Sequence, residues 1–179
     1  MSYSDRGQIT DESLKVTSML WSGKPQNHRG QFFRLKRTAI AAPPSKAPHV
    51  WIGGNSSAAI KRASKYDAWF PSDPTTDDVR EGVKELVRYS KKKRPLVAAH
   101  IYLILKESSS KASHAAKFLS DMTGEHLDRV RQWAIVGDVN ECRQRVEEYR
   151  KAGVGYFVFS LPPKMRLTTL EQVTRMMTQ

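Results

Sequence analysis

Residues 48–58 read PHVWIGGNSSA. An apolar run, His49 to Ile52, stops at two glycines, and the helix-like segment "SSAAIKRASKY" follows at once, with Ser56 or Asn55 as its cap. A short apolar strand, a turn and an amphipathic helix make one unit, and the unit recurs. "DAWFP" ends at Pro71 and leads into "TTDDVREGVKELVRYSKKK", with Val79, Val83, Leu86 and Val87 on one face and Asp77 and Asp78 in the first turn. "LVAAHIYLIL" is the longest strand candidate, and the polar stretch after it has room for one or two helices. "DVNECRQRVEEYRKAG" carries an Asp138–Glu141 capping box, a Cys142/Val146/Tyr149 stripe and Gly153 as its stop. "VGYFVFSLP" is the last strand, and "TLEQVTRMM" a closing helix begun near Thr168 or Thr169.

Strands are thus expected near 49–53, 67–70, 96–105 and 154–161, each followed by a helix. Such alternation implies parallel pairing and right-handed crossovers. An eight-unit barrel takes typically ~250 residues, so four units make a partial TIM barrel, an α/β fold. Residues 1–47 precede the repeats. There "ITDESLKVTSMLWSG" predicts a helix capped by Thr10 and ended by Gly23 and Pro25. An irregular excursion follows, with a turn at Gly30, a strand-like piece at Phe32–Phe33 and a proline-rich connection. One domain spanning residues 1–179 is the expectation.

The composition, 39% apolar and 9% aromatic, is that of a folded chain. No apolar run approaches the ~20 residues of a membrane span, and the polar N-terminus does not read as a secretion signal, so a cytoplasmic protein is expected. The single cysteine, Cys142, excludes an internal disulfide, and no Cys/His cluster has zinc spacing. Thirty Lys and Arg against eighteen Asp and Glu give a net charge of +12, which attracts polyanions. The basic residues are scattered, and the densest run, Lys91–Arg94, falls where a helix ends and cations complement its dipole. Nucleic-acid binding is therefore a lesser alternative.

Two readings of Gly53-Gly54-Asn55-Ser56 stand side by side. The glycines are turn punctuation with Ser56 as an ordinary cap, or they let the backbone approach an anion held by the helix-opening N–H groups. In "LVAAHIYLIL", Val97, Ala99, Ile101, Leu103 and Leu105 form an aliphatic phase suited to packing under helices. The other phase, Leu96, Ala98, His100, Tyr102 and Ile104, is expected to face the barrel interior. His100 and Tyr102 are pocket candidates, although a hydrogen-bonded structural histidine is the commoner case; Trp69 and Phe70 are core or pocket wall. His28, His114 and His126 lie in polar segments and suggest no site. Cys142, on a packed helix face, is expected to be unreactive.

Three blocks, "MLWSGKPQNHRGQFFRL", "PPSKAPHVWIGGNSSAAIKRASKYDAWFP" and "VGDVNECRQRVEEYRKAGVGYFVFSLP", resemble in order the second half of the bacterial-luciferase-like oxidoreductases, which include alkane-sulfonate monooxygenases and deazaflavin-dependent reductases. The resemblance implies a (β/α)₈ barrel binding FMN or a deazaflavin (F420) at the carboxyl ends of its strands. It also implies that Gly53, Gly54, Asn55 and Ser56 hold the cofactor's phosphate, and that the substrate is a small molecule. The family's first four strands, with much of the wall against the flavin ring, have no counterpart in the sequence, and no catalytic residue is assigned. An open inner face with two free edges needs cover. A homodimer or a separately encoded N-terminal half-barrel is the expected partner, and the positive charge suits an acidic partner or cofactor phosphates. The different-class alternative is a non-catalytic remnant serving as an assembly or regulatory subunit.

Overall fold

In the computed structural model, which describes residues 3–90, 96–105, 109–161 and 167–178, a 3₁₀ turn at Tyr3–Asp5 leads into helix α1 (Arg6–Leu20). The helix thus begins before Thr10, the expected cap. Thr10 sits inside it and donates its hydroxyl to the Arg6 carbonyl at 2.7 Å. A threonine can satisfy itself on the preceding turn, so its presence before two acids does not fix a helix start. Strands β1 (Gln26–Arg29) and β2 (Arg34–Thr38) then form an antiparallel hairpin where an irregular excursion was expected. Phe32 and Phe33 lie in the connection rather than in a strand.

The reason is a carboxylate far away in sequence. Glu12 on α1 accepts from the amides of Gln31 (3.1 Å), Phe32 (3.0 Å) and Phe33 (2.9 Å), and its Oε1 lies 2.9 Å from His28 Nε2. Three N–H groups converging on one anion shape the turn, and hydrogen bonds to a charged acceptor are the strong ones.

From Trp51 onward a second compact unit begins, distinct from residues 1–50. Its elements run β3 (Trp51–Gly53), α2 (Ser57–Ala63), β4 (Ala68–Phe70), α3 (Thr76–Tyr89), β5 (Leu96–Leu105), α4 (Ser109–Thr123), α5 (Leu127–Trp133), β6 (Ile135–Gly137), α6 (Val139–Ala152), β7 (Tyr156–Ser160) and α7 (Leu167–Thr178). All of its strand pairs are parallel: β3 with β4, β4 with β5, and β5 with both β6 and β7. His100 gives its N–H to Pro71 O and receives Asp73 N–H, whereas the Val97 carbonyl receives Gly155 N–H. Successive residues of a strand bond to opposite edges, so β4 and β7 flank β5 on either side. The order β3-β4-β5-β7 is that of consecutive strands in a β/α barrel wall.

Strand β6 was not expected. Its three residues pair with Leu103–Leu105, the part of β5 that extends beyond the pairing with β4 and β7. A three-residue strand carries too little periodicity to be read in advance. The run Lys91–Arg94 lies outside the described residues.

Local chemistry sets the helix ends. Ser56 caps α2 through Ala59 N–H, and α3 carries a Thr75–Asp78 capping box. Helix α6 carries the expected Asp138–Glu141 box and ends at Gly153 in the left-handed region. Val97, Ala99, Ile101 and Leu103 are buried beneath the helices as the aliphatic phase requires, while Val87 is exposed rather than packed. Trp69 points to the same helical side: a Cβ on Gly82 of α3 would stand 2.0 Å from its ring, so only glycine admits the indole. Among the described residues no helix is long and apolar enough to cross a membrane.

Burial raises the Glu12 carboxyl, but the His28 ring and the Phe32 and Phe33 amides outweigh it and hold its pKa at about 2, against an ordinary 4.5. A depressed carboxyl stabilises above its unfolded value and loses that effect as pH falls through the folded one. Amide-exchange protection at Phe33 is therefore expected to hold down to about pH 4.5 and to collapse towards pH 2. Glu12→Gln should remove this acid-dependent limb.

Candidate functional site

The loop after β3 lies at the carboxyl end of the sheet, and its polar groups are largely engaged. Gly54 adopts φ +111°, where an L side chain is strained. Its carbonyl accepts from Trp69 Nε1 at 2.9 Å. The Asn55 side chain clamps the next loop in both senses, donating to Ser72 O at 2.8 Å and accepting from Ser72 N–H at 3.1 Å. Ser56 accepts from Ala59 N–H, and Ser57 donates to Glu85 Oε1 at 2.5 Å. The four residues Gly53–Ser56 are exposed, and a Cβ on Gly53 would meet only Phe70 O, at 3.8 Å. Space for a ligand thus exists beside the backbone. The side chains of Asn55 and Ser56 chiefly hold the loop itself.

The inner face of the sheet carries a chain of aromatic rings. Tyr156 on β7 meets Trp51 on β3 at 5.1 Å between centroids, so side chains from the two outer strands touch across the concavity. Trp51 meets Phe70 at 5.8 Å, Phe70 meets His100 at 6.4 Å, His100 meets Tyr102 at 5.4 Å, and Tyr102 meets Trp133 at 5.8 Å. At the amino ends of the strands this face is open: Trp51 is 37%, Leu96 39% and Tyr156 50% exposed. At the carboxyl end it is closed by α4 and α5, where Ile104 is buried with Ala115, Leu119, Val130 and Trp133.

His100 and Tyr102 share this inner face. Trp69, the third pocket candidate, is 1% exposed on the helical side and does not join them. An open groove of about 490 Å³ lies on that other side, bordered by Asn55, Ser57, Ile60, Trp69, Glu85 and Arg129 among others.

Two residues not singled out in the sequence complete the surroundings of His100. Ser160 Oγ lies 2.7 Å from Nε2, and Asp73 Oδ1 lies 3.4 Å from Nδ1. Burial pushes the Asp73 carboxyl up, against the pull of the His100 ring. Neither residue had a periodic or motif signal, because they are 60 and 27 positions from His100 and meet it only through sheet register.

The loops at this end are also tied from beneath. The Tyr149 hydroxyl lies 2.7 Å from Pro74 O and 2.9 Å from Trp133 O, and burial holds its proton in place by pushing the phenol up. Arg129 pairs with Asp78 at 2.7 Å. Cys142 is buried, and burial with the nearby Glu141 and Asp138 raises its thiol to about 12, so it is not a nucleophile at neutral pH. Among the described residues no group of three or more His, Cys, Asp or Glu is placed to hold a metal ion.

The family described as luciferase-like monooxygenase matches residues 1–120. An uncharacterised protein of Mycobacterium tuberculosis (strain ATCC 25618 / H37Rv) is 25% identical over 77 residues, covering 43% of this chain and 27% of that protein. An F420-dependent secondary alcohol dehydrogenase, solved with an F420–acetone adduct, superposes with a TM-score of 0.76 at 20% identity, covering 90% of this chain and 58% of that one. The EDTA monooxygenase of Chelativorans sp. BNC1 gives 0.69 at 14% identity, covering 97% and 58%. The chain therefore spans about a quarter of that curated relative and somewhat over half of each of these solved structures.

The Asn55 clamp makes a direct prediction. Asn55→Ala removes both bonds to Ser72 and should cost about 1 kcal/mol in denaturant unfolding. An unchanged midpoint would show that the two loops are held by other contacts.

Proposed function

This chain belongs to the luciferase-like monooxygenase family, and from that premise we propose that it forms the phosphate-side wall of a flavin- or deazaflavin-dependent oxidoreductase whose barrel is completed by four further strands. The observation that carries the reading is the curved parallel sheet, with an exposed aromatic inner face and a left-handed glycine turn at the carboxyl end of its first strand.

The residues fit such a cofactor at the level of the backbone. Gly53 leaves room for a close approach, and Gly54 turns the chain into α2, whose first N–H groups, apart from the Ala59 amide held by Ser56, would be available to an anion placed there. Asn55 and Ser56 would contribute mainly by fixing that geometry, since their side chains are engaged elsewhere. Phe70, at the carboxyl end of β4, offers flat apolar surface for a ring system, and His100 and Tyr102 add polar atoms on the same face, whereas Trp51 and Tyr156 lie at the opposite, amino end. When bound, the cofactor supplies the hydride or oxygen chemistry; the chain's share is to position it and exclude water. The alcohol dehydrogenase relative, F420-dependent by name, supports a deazaflavin, and the monooxygenase relative supports oxygen chemistry. A small organic molecule is the substrate class in both cases.

The completing strands would come from a second copy or from a separately encoded half-barrel. Open aromatic surface on the inner face, together with a net charge of +12, favours a partner that is apolar at its centre and acidic at its rim. One observation favours the second reading, a non-catalytic subunit: every side chain of the glycine loop already has an internal partner.

Absorbance titration of the protein with FMN and with F420 decides between them. Saturable binding is expected, weakened by at least about tenfold (~1.4 kcal/mol) in Gly54→Val; absence of binding to either would end the cofactor reading for this chain. Light scattering after size exclusion should show a mass above that of one 20.3 kDa chain. A clean monomer at micromolar concentration would count against self-completion.

A further inference from the structure

We propose that Asp73, His100 and Ser160 form a proton relay that ends in the Ser160 hydroxyl and exchanges a proton with an oxygen of a hydroxyl- or carbonyl-bearing small molecule on the inner face of the sheet. The three residues come from three elements: the loop after β4, the middle of β5, and the last position of β7. Their chemistry is ordered. A carboxylate can only accept, so the imidazole nitrogen facing Asp73 is the one that carries the proton. That leaves Nε2 as an acceptor, and the Ser160 hydroxyl, 2.7 Å away, as its donor.

The backbone supports this order. Asp73 sits at φ +49°, a left-handed conformation that aspartate tolerates better than most residues, and its N–H bonds to the His100 carbonyl at 3.0 Å. The loop therefore grips the same residue whose ring its carboxylate addresses. Asp73 Oδ1 is buried and makes no hydrogen bond, and His100 Nδ1 lies 3.4 Å from it, close enough to pair electrostatically but not aligned as a hydrogen bond. A buried acceptor left open in this way calls for a partner, and catalytic hydrogen bonds are often long before a substrate is bound. Phe70 and Tyr102 both meet the ring edge-to-face, at 6.4 and 5.4 Å between centroids.

The transfer balances. As a ligand hydroxyl gives its proton to Ser160 Oγ, the Ser160 proton passes to His100 Nε2, and the resulting imidazolium is held by Asp73. In reverse, the same path delivers a proton to a carbonyl oxygen. The proposal rests on the oxidoreductase reading above, in which a bound flavin or deazaflavin would supply the companion hydride chemistry. The relay itself is measurable without cofactor.

The test is nitrogen-15 NMR of the imidazoles in the full chain. Where the ring carries a single proton, that proton is expected on Nδ1, with Nε2 bare. Asp73→Asn, which keeps the left-handed turn but can donate to Nδ1, should move the proton to Nε2. Ser160→Ala should leave the proton on Nδ1 and shift the Nε2 resonance through loss of its donor. A wild-type proton on Nε2, an unchanged tautomer in Asp73→Asn, or an unmoved Nε2 in Ser160→Ala would each overturn the relay. Cofactor titration of the same variants separates the two ideas: binding that survives in a protein lacking the relay signature refutes the relay alone.

Discussion

Strand β5 is the constraint on which the second unit depends. Its ten residues exceed the length of every other described strand, and different stretches of it serve different neighbours. Leu96 and Val97 pair with β4, Ala98–Tyr102 with β7, and Leu103–Leu105 with β6. One side-chain phase is aliphatic and buried beneath helices. The other grades from an exposed leucine through His100 and Tyr102 to an isoleucine enclosed by α4 and α5. A shift of one residue would send the histidine under the helices and Val97, Ile101 and Leu103 into the concavity. Register here therefore fixes both stability and the place of the polar groups.

Much of this was legible because it is local. The capping box at Asp138, the stop at Gly153 and the two phases of β5 follow from spacing alone. The partial-barrel architecture followed from alternating strands and helices. What escaped was long-range or too short to carry a period. Glu12 organises a hairpin around residues some twenty positions away, and nothing in "QNHRGQFFRL" shows where its amides find an acceptor. Strand β6 has three residues. Asp73 and Ser160 look like loop punctuation until register brings them to His100. Trp69 and Phe70 were both readable as core or pocket wall, and alternation divides them: Trp69 is buried on the helical side, where it borders the groove, and Phe70 turns to the inner face.

The carboxyl end of the sheet is cross-braced by side chains rather than by further strand pairing. Asn55 ties the first loop to the second, Trp69 ties the second strand to the first loop, and Tyr149 bridges Pro74 and Trp133. These bonds end on main-chain atoms, which makes them sensitive to loop geometry and indifferent to the neighbours' side chains. A site built there can change its side chains while the backbone stays in place.

Strand β3 shows what this arrangement means for recognition. Only three residues long, it pairs on one side with β4 and is otherwise an edge among the described strands. So short a rim offers few main-chain groups to any incoming strand, which limits runaway edge-to-edge stacking of the kind that seeds fibrils. A strand docking beside it would have to find its grip in the shape of Trp51 and its aromatic neighbours. Such a joint would be selective by contour, and a strand of the wrong outline would gain little from backbone pairing alone.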